Sequence, residues 1–132
     1  MILTQQINKM NLIKKEIKTH AMSKSKEEVC GFIIEKDGNL EIIRCENVSS
    51  TPEKSFEIHP EGYLDVKLKN EIVAIYHSHP VDAPFSRDDI LAAESYALPC
   101  VLYINPAREF DAYYPKYAET KHVQYIKEVI ND

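Results

Sequence analysis

The segment Ile72-Val73-Ala74-Ile75-Tyr76-His77-Ser78-His79-Pro80 constrains this chain more than any other. Its apolar run reads as a central strand from Glu71 to His77. After it, His79-Pro80-Val81-Asp82-Ala83-Pro84-Phe85 forms a loop whose two prolines cannot continue a strand ladder. Residues i and i+2 of a strand point to the same face, so both imidazoles aim at one point if the strand runs on through His79. Their Cα atoms would lie about 6.5–7 Å apart. Two rings so placed can reach one metal at M–N distances of about 2.0–2.1 Å. Alone, an HxH pair describes two surface histidines at a strand end equally well.

Helical and strand patterns alternate around this segment. From Thr4 to about Ala21, Ile7, Met10, Ile13 and Ile17 recur at three- and four-residue steps, which predicts an amphipathic helix capped by Thr4. Val29 to Ile34 is a short buried strand. Lys36-Asp37-Gly38-Asn39 is turn chemistry, and Leu40 to Cys45 returns as the second arm of a hairpin. Ser49 to Lys54 is loop, and Ser55 to Ile58 is expected as a short strand. Pro60 and Glu61 open a helix through about Lys69. Ser86 is a hydroxyl N-cap, with Asp88 and Asp89 in the first helical turn, and Pro99 closes that helix. Cys100 to Ile104 and Phe110 to Tyr114 are strands. A last helix spans about Glu119 to Ile130, with Val123, Ile126 and Ile130 on one face. The expected class is α/β or α+β, with one mixed central sheet flanked by helices, a single domain over residues 1–132.

Composition removes several classes of function. A chain of 132 residues is too short for a TIM barrel, which needs roughly 250. With 21 acidic against 16 basic side chains the net charge is −5, which argues against a nucleic-acid partner. No run of about 18 apolar residues exists to span a membrane. Met1 to Lys18 carries Lys9, Lys14, Lys15 and Glu16 with no continuous apolar stretch, so it does not read as a secretory signal. Cys30, Cys45 and Cys100 are odd in number and form no CxxC pair, which favours a reducing, cytoplasmic compartment over a disulfide framework.

A catalytic zinc takes three protein ligands and keeps one open position. Asp89, at the start of the helix after the HxHP loop, is a candidate for the third, and Asp88 and Asp82 lie in the same window. Any one acid there is more commonly a solvated first-turn residue. Glu28, preceded by Glu27, stands at the lip of the strand Val29 to Ile34. Alone it is an ordinary charged residue before a strand. Beside a metal, which lowers a water's pKa to about 7, a carboxylate is the group that takes the proton and passes it to a leaving group.

Glu28-Val29-Cys30-Gly31, His77-Ser78-His79-Pro80 and Ser86-Arg87-Asp88-Asp89 resemble the glutamate, HSHP and SxxD blocks of the JAMM motif, which marks the JAB/MPN metalloprotease family. The resemblance covers roughly Ile7 to Tyr114. It is nearest to prokaryotic JAB domains of phage tail-assembly type, with which Asn47 and the Phe56-to-Ile58 segment also agree. In such phage proteins a second peptidase domain often follows, and a chain ending at Asp132 has no room for one. The resemblance implies zinc held by His77, His79 and Asp89, Glu28 as general base, and Ser86 as the donor that stabilises the oxyanion. The loop from the second histidine to that serine is one residue shorter than the usual family pattern. SxxD itself is intact, which favours Asp89 over Asp88. Ser78 should face the opposite way in a structural role, Cys30 should be a buried small hydrophobe, and His20, His59 and His122 fit no motif and are expected on the surface.

The implied activity is cleavage of an amide or isopeptide bond in a peptide or protein substrate: a ubiquitin-like conjugate, a tail protein or a peptidoglycan peptide. The alternative is a non-catalytic MPN-type scaffold or tail-assembly component that works with a partner protein. Other HxH hydrolases fit poorly. Amidohydrolase barrels need about twice this length, and in an HxHxD pattern Asp82 falls one residue too late.

Overall fold

A computed structural model describes residues 2–131, with side chains described from Leu12 to Asn131. The side chains of Ile7 and Met10 therefore lie outside the described residues. Helix α1 spans Ile2–Ser23. It begins two residues before Thr4, which sits inside the first turn and not at its cap. Strands β1 (Cys30–Lys36) and β2 (Asn39–Cys45) form the expected hairpin. Its two loop residues, Asp37 (φ 53°) and Gly38 (φ 80°), both take the left-handed backbone of a tight hairpin turn.

Helix α2 (Pro60–Lys69), strand β3 (Glu71–His79), helix α3 (Arg87–Tyr96), strands β4 (Cys100–Ile104) and β5 (Glu109–Tyr113), and helix α4 (Thr120–Asn131) complete the order. The sheet runs β2-β1-β3-β4-β5. β3 and β4 are parallel, joined across α3, and the other neighbours are antiparallel. This α+β architecture agrees with the class read from the sequence. Among the described residues no helix is long and apolar enough to cross a membrane.

Two apolar layers cover the two faces of the sheet. Ile13, Ile17 and Ala21 of α1 and Ile126 and Val129 of α4 pack with Ile33, Val73, Tyr76 and Val101. Val66 of α2 and Ala93 of α3 pack on the other side with Phe32, Ile34, Ile75 and Cys100. Cys30 is fully buried in that second layer, as expected of a small hydrophobe. On α4 the fully buried positions are His122, Ile126 and Val129, while Val123 and Ile130 are half-buried at the edges of the stripe.

Two further expectations need correction. Strand β3 runs to His79 and not only to His77, because β4 stays in register beside it as far as His79–Ile104 and Asn105 N–H donates to the His79 carbonyl at 3.0 Å. The ladder ends two residues later than read, at the residue before Pro80, since only the proline itself lacks the donor. Residues 55–58 are not a strand. The Val48 N–H donates to the Glu57 carbonyl at 2.9 Å, but side-chain bonds from Asn47 replace the rest of a ladder.

Candidate metal centre

Glu28, His77, His79 and Asp89 come together at the end of β3, and one ligand atom from each lies within 4.8 Å of the others. All four are buried. Strand periodicity accounts for the histidines: Ile75, His77 and His79 share one face of the sheet, and Ser78 faces the other. There Ser78 Oγ accepts the Val29 N–H at 3.0 Å, which ties β3 to the start of β1 just past Glu28.

Asp89 is positioned by helix capping. Ser86 Oγ accepts the Asp89 N–H at 3.1 Å, and Asp89 Oδ2 accepts the Ser86 N–H at 2.8 Å, a reciprocal capping box. The same carboxylate reaches His77 Nε2 through Oδ1 at 3.2 Å and His79 Nε2 through Oδ2 at 3.0 Å. Asp88 and Asp82 are both exposed, so the helix phase presents Asp89 to the imidazoles. Ser86 is exposed at the edge of the cleft that Glu28 and His79 also line.

The Glu28 backbone is held on both sides. Its N–H donates to the Pro52 carbonyl at 2.7 Å, and its carbonyl accepts from Asn47 Nδ2 at 2.8 Å. Asn47 thus anchors the general-base candidate to the loop after β2. The Glu28 side chain lies 3.8 Å from His79 Nε2 through Oε2. Among the described residues, Glu28 Oε1 is the one buried side-chain polar atom without a hydrogen-bond partner. Such an orphan calls for a ligand or a reactive role.

The donor set fits a zinc ion. His79 Nδ1–H donates to the Ala83 carbonyl at 2.8 Å, which leaves the Nε2 lone pair facing inward. That nitrogen lies 3.3 Å from His77 Nε2 and 3.0 Å from an Asp89 oxygen, a cluster that a bridging proton or a shared cation satisfies. Tetrahedral coordination with bonds of about 2.0–2.1 Å separates neighbouring ligand atoms by about 3.3 Å. The observed spacings match, and two imidazoles with a carboxylate are ligands of the type zinc takes.

Titration reflects the same crowding. Burial pushes the Glu28 carboxyl up to about 7, with His79 opposing and Asp89 adding to the shift. Burial also pushes His77 down, and its bond to Asp89 and the Asp89 charge only partly offset this. For His79 burial works in the same direction, but the Asp89 bond, the Ala83 carbonyl and the Asp89 and Glu28 charges outweigh it and raise the pKa. Burial pushes Asp89 up, yet the bonds to His77 and His79, the His77 charge and the Ser86 N–H hold the carboxyl well below the usual range.

Several supports were not read from the sequence. Cys100 Sγ lies 3.6 Å from His77 Nδ1, and Phe56 stacks on the His77 ring with centroids 4.5 Å apart. The two remote histidines expected at the surface are buried, whereas His59 is exposed and caps α2. His20 Nδ1 meets the Tyr76 hydroxyl at 2.7 Å. His122 Nε2 lies 3.3 Å from Glu71 Oε1, in a cluster with Glu119 that Lys121 already neutralises at Glu71. Helical spacing carried the signal: His20 is three residues after Ile17, and His122 four before Ile126, so each shares a core-facing stripe.

A mixed sheet with a His-x-His strand end, a capped aspartate and a buried glutamate defines a JAB-type domain. The chain belongs to the prokaryotic homologues of the JAB domain, whose family model matches residues 13–114. It is also 34% identical over 64 residues to "Tail tip assembly protein K" of Escherichia phage N15, a match covering 48% of this chain. The chain spans about a quarter of that relative's length, 26%.

Proposed function

We propose that residues 1–132 form a single JAB/MPN-like domain acting as a zinc-dependent peptidase or isopeptidase of JAMM type. The convergence of His77 Nε2, His79 Nε2 and Asp89 beside the orphaned Glu28 Oε1 carries this reading. His77, His79 and Asp89 would hold the metal, and Glu28 and Ser86 would act on the substrate. Zinc, when bound, supplies Lewis acidity, lowering the pKa of a water toward 7 and polarising a carbonyl. Glu28 takes the water's proton on a carboxylate oxygen and delivers it to the departing amine nitrogen. Burial pushes that carboxyl up to about 7, and a zinc ion beside it would favour the charged carboxylate that accepts the proton. Ser86 Oγ–H donates to the oxygen that gains charge, while its lone pair stays on the Asp89 N–H. The bond from His79 to Ala83 holds that ring in the ligating tautomer.

Replacing Glu28 with Gln keeps size and burial but removes the proton acceptor. The Glu28→Gln protein should retain about one zinc per chain by elemental analysis and lose peptide hydrolysis by about 10²–10⁴-fold. Unchanged turnover would refute the assigned role. A cytoplasmic setting suits the three free thiols, Cys30, Cys45 and Cys100.

The relative's name favours a second reading, a scaffold within a tail-assembly complex bound to a partner protein. Stoichiometric zinc with no hydrolysis of tail-protein, peptidoglycan-peptide or ubiquitin-like substrates would favour it.

A further inference from the structure

The cleft beside Glu28 encloses about 630 Å³ and has two chemically unlike sides. One side comes from the loop after α1 and the loop after β2. These loops are tied together by the 2.7 Å bond from Glu28 N–H to the Pro52 carbonyl, and Asn47 Nδ2 bridges the Glu28 and Ser55 carbonyls. Lys26 and Lys54 therefore line the same side. Both are exposed, and among the described residues neither ammonium has an ion-pair partner, whereas nearby Lys24 is paired with Glu27. The lining carries two carboxylates, the exposed Glu53 on that rim and the buried Glu28, so among the exposed charges two lysines meet one glutamate, in a chain of net charge −5.

The other side is Pro80, Val81, Ala83 and Pro84. The prolines have no N–H to offer. Ala83 spends its carbonyl on His79 and its N–H on the Val81 carbonyl at 2.9 Å. Val81 is 62% exposed although large and apolar. This wall can bury an apolar group, and no side chain on it can hydrogen-bond a polar one.

We propose that the substrate is a peptide that presents a carboxylate to Lys26 and Lys54 and an apolar side chain to Val81 and its flanking prolines. What is cleaved rests on the peptidase reading above, while the selectivity of binding stands on the cleft itself. The carboxylate belongs either to an acidic side chain or to a free C-terminus. Two exposed charge contacts together bring about a ten-fold preference, weakened by salt.

NMR titration of isotope-labelled, metal-free protein tests this with acetyl-Val-Glu-amide, acetyl-Val-Gln-amide, acetyl-Val-Gln with a free carboxylate, and acetyl-Gly-Glu-amide. One of the two Val-containing acids should bind about ten-fold more tightly than acetyl-Val-Gln-amide, shifting resonances at residues 25–28, 53–54 and 81–83. Which acid binds identifies the source of the carboxylate. The valine probe should exceed its glycine counterpart, and Lys26→Gln/Lys54→Gln, at exposed positions, should abolish the charge preference. Equal binding of acids and amides, a preference that survives the double substitution, or no binding by any probe would each overturn the proposal. A protein with this selectivity that hydrolyses nothing retains the inference and loses the peptidase reading. One that hydrolyses peptides without regard to the carboxylate does the reverse.

Discussion

His20 and Tyr76 link a helix to the central strand through one 2.7 Å bond, with their rings edge to face at 5.8 Å. Burial, aided by the charges of Arg44 and Lys24, pushes His20 down to about 4. An unfolded chain takes up this proton near pH 6.5, but the native chain resists until about pH 4. Between those values the unfolded state binds more protons, so stability falls as pH drops through that window and is flat above it. The loss is on the order of 1–2 kcal/mol, below the full linkage value because water still reaches part of the ring. Urea unfolding of wild type and His20→Gln from pH 7 to pH 4 checks this: the variant should show the shallower slope. No motif in the sequence marked His20 as a core residue; its helical spacing from Ile17 was the one signal. Its burial follows from the stripe of Ile13 and Ile17, which becomes informative only when every side chain on the face is counted.

At the scale of elements, the hairpin and the capped helix were the most legible parts, because their causes are local. Asp37-Gly38 supplies the left-handed backbone and Ser86 with Asp89 supplies a reciprocal cap. The cap and the proposed oxyanion contact share one side chain, and two substitutions separate them. Ser86→Ala should cost about 1 kcal/mol of stability and lower kcat by about 10²–10³-fold. Ser86→Asp keeps an N-cap acceptor without the hydroxyl donor, so its melting temperature should recover while kcat stays low. Recovery of both would reduce Ser86 to a capping role.

Gly31 has a different reason for being glycine. A Cβ there would meet the Ile43 carbonyl at 2.3 Å and the Tyr76 ring at 2.6 Å. Gly31→Ala should cost about 1–3 kcal/mol of stability or more, read as a lower urea midpoint at unchanged slope. Residues 55–58 illustrate the opposite limit. Their apolar pattern suits a strand, but a strand exists only where a neighbour offers a ladder, and there Asn47 takes the bonds instead.

For the whole molecule, a metal that binds only the folded centre stabilises the fold by mass action. Zinc at about 100 times its dissociation constant adds about 2.7 kcal/mol, which for a domain of this size raises the melting temperature by on the order of 10 °C. Calorimetry should show that rise, its reversal by a chelator, and its absence in His77→Ala/His79→Ala. A rise that persists in the double variant would place the metal elsewhere.

The sequence by itself determined the hairpin and the cap on α3, which depend on backbone propensity and on spacing within a few residues, and its resemblance to the JAMM blocks marked Glu28, His77, His79 and Asp89 as candidates. Only the tertiary structure decided that β3 reaches His79, that Asp89 and not Asp88 faces the imidazoles, that Glu28 is an unpartnered buried acid, and that Lys26 and Lys54 share one wall of a cleft. Each depends on a neighbour far along the chain: β4 beside β3, helix phase against the sheet, Pro52 and Asn47 against Glu28. Burial and desolvation are properties of that packing, and no stretch of residues contains them in isolation.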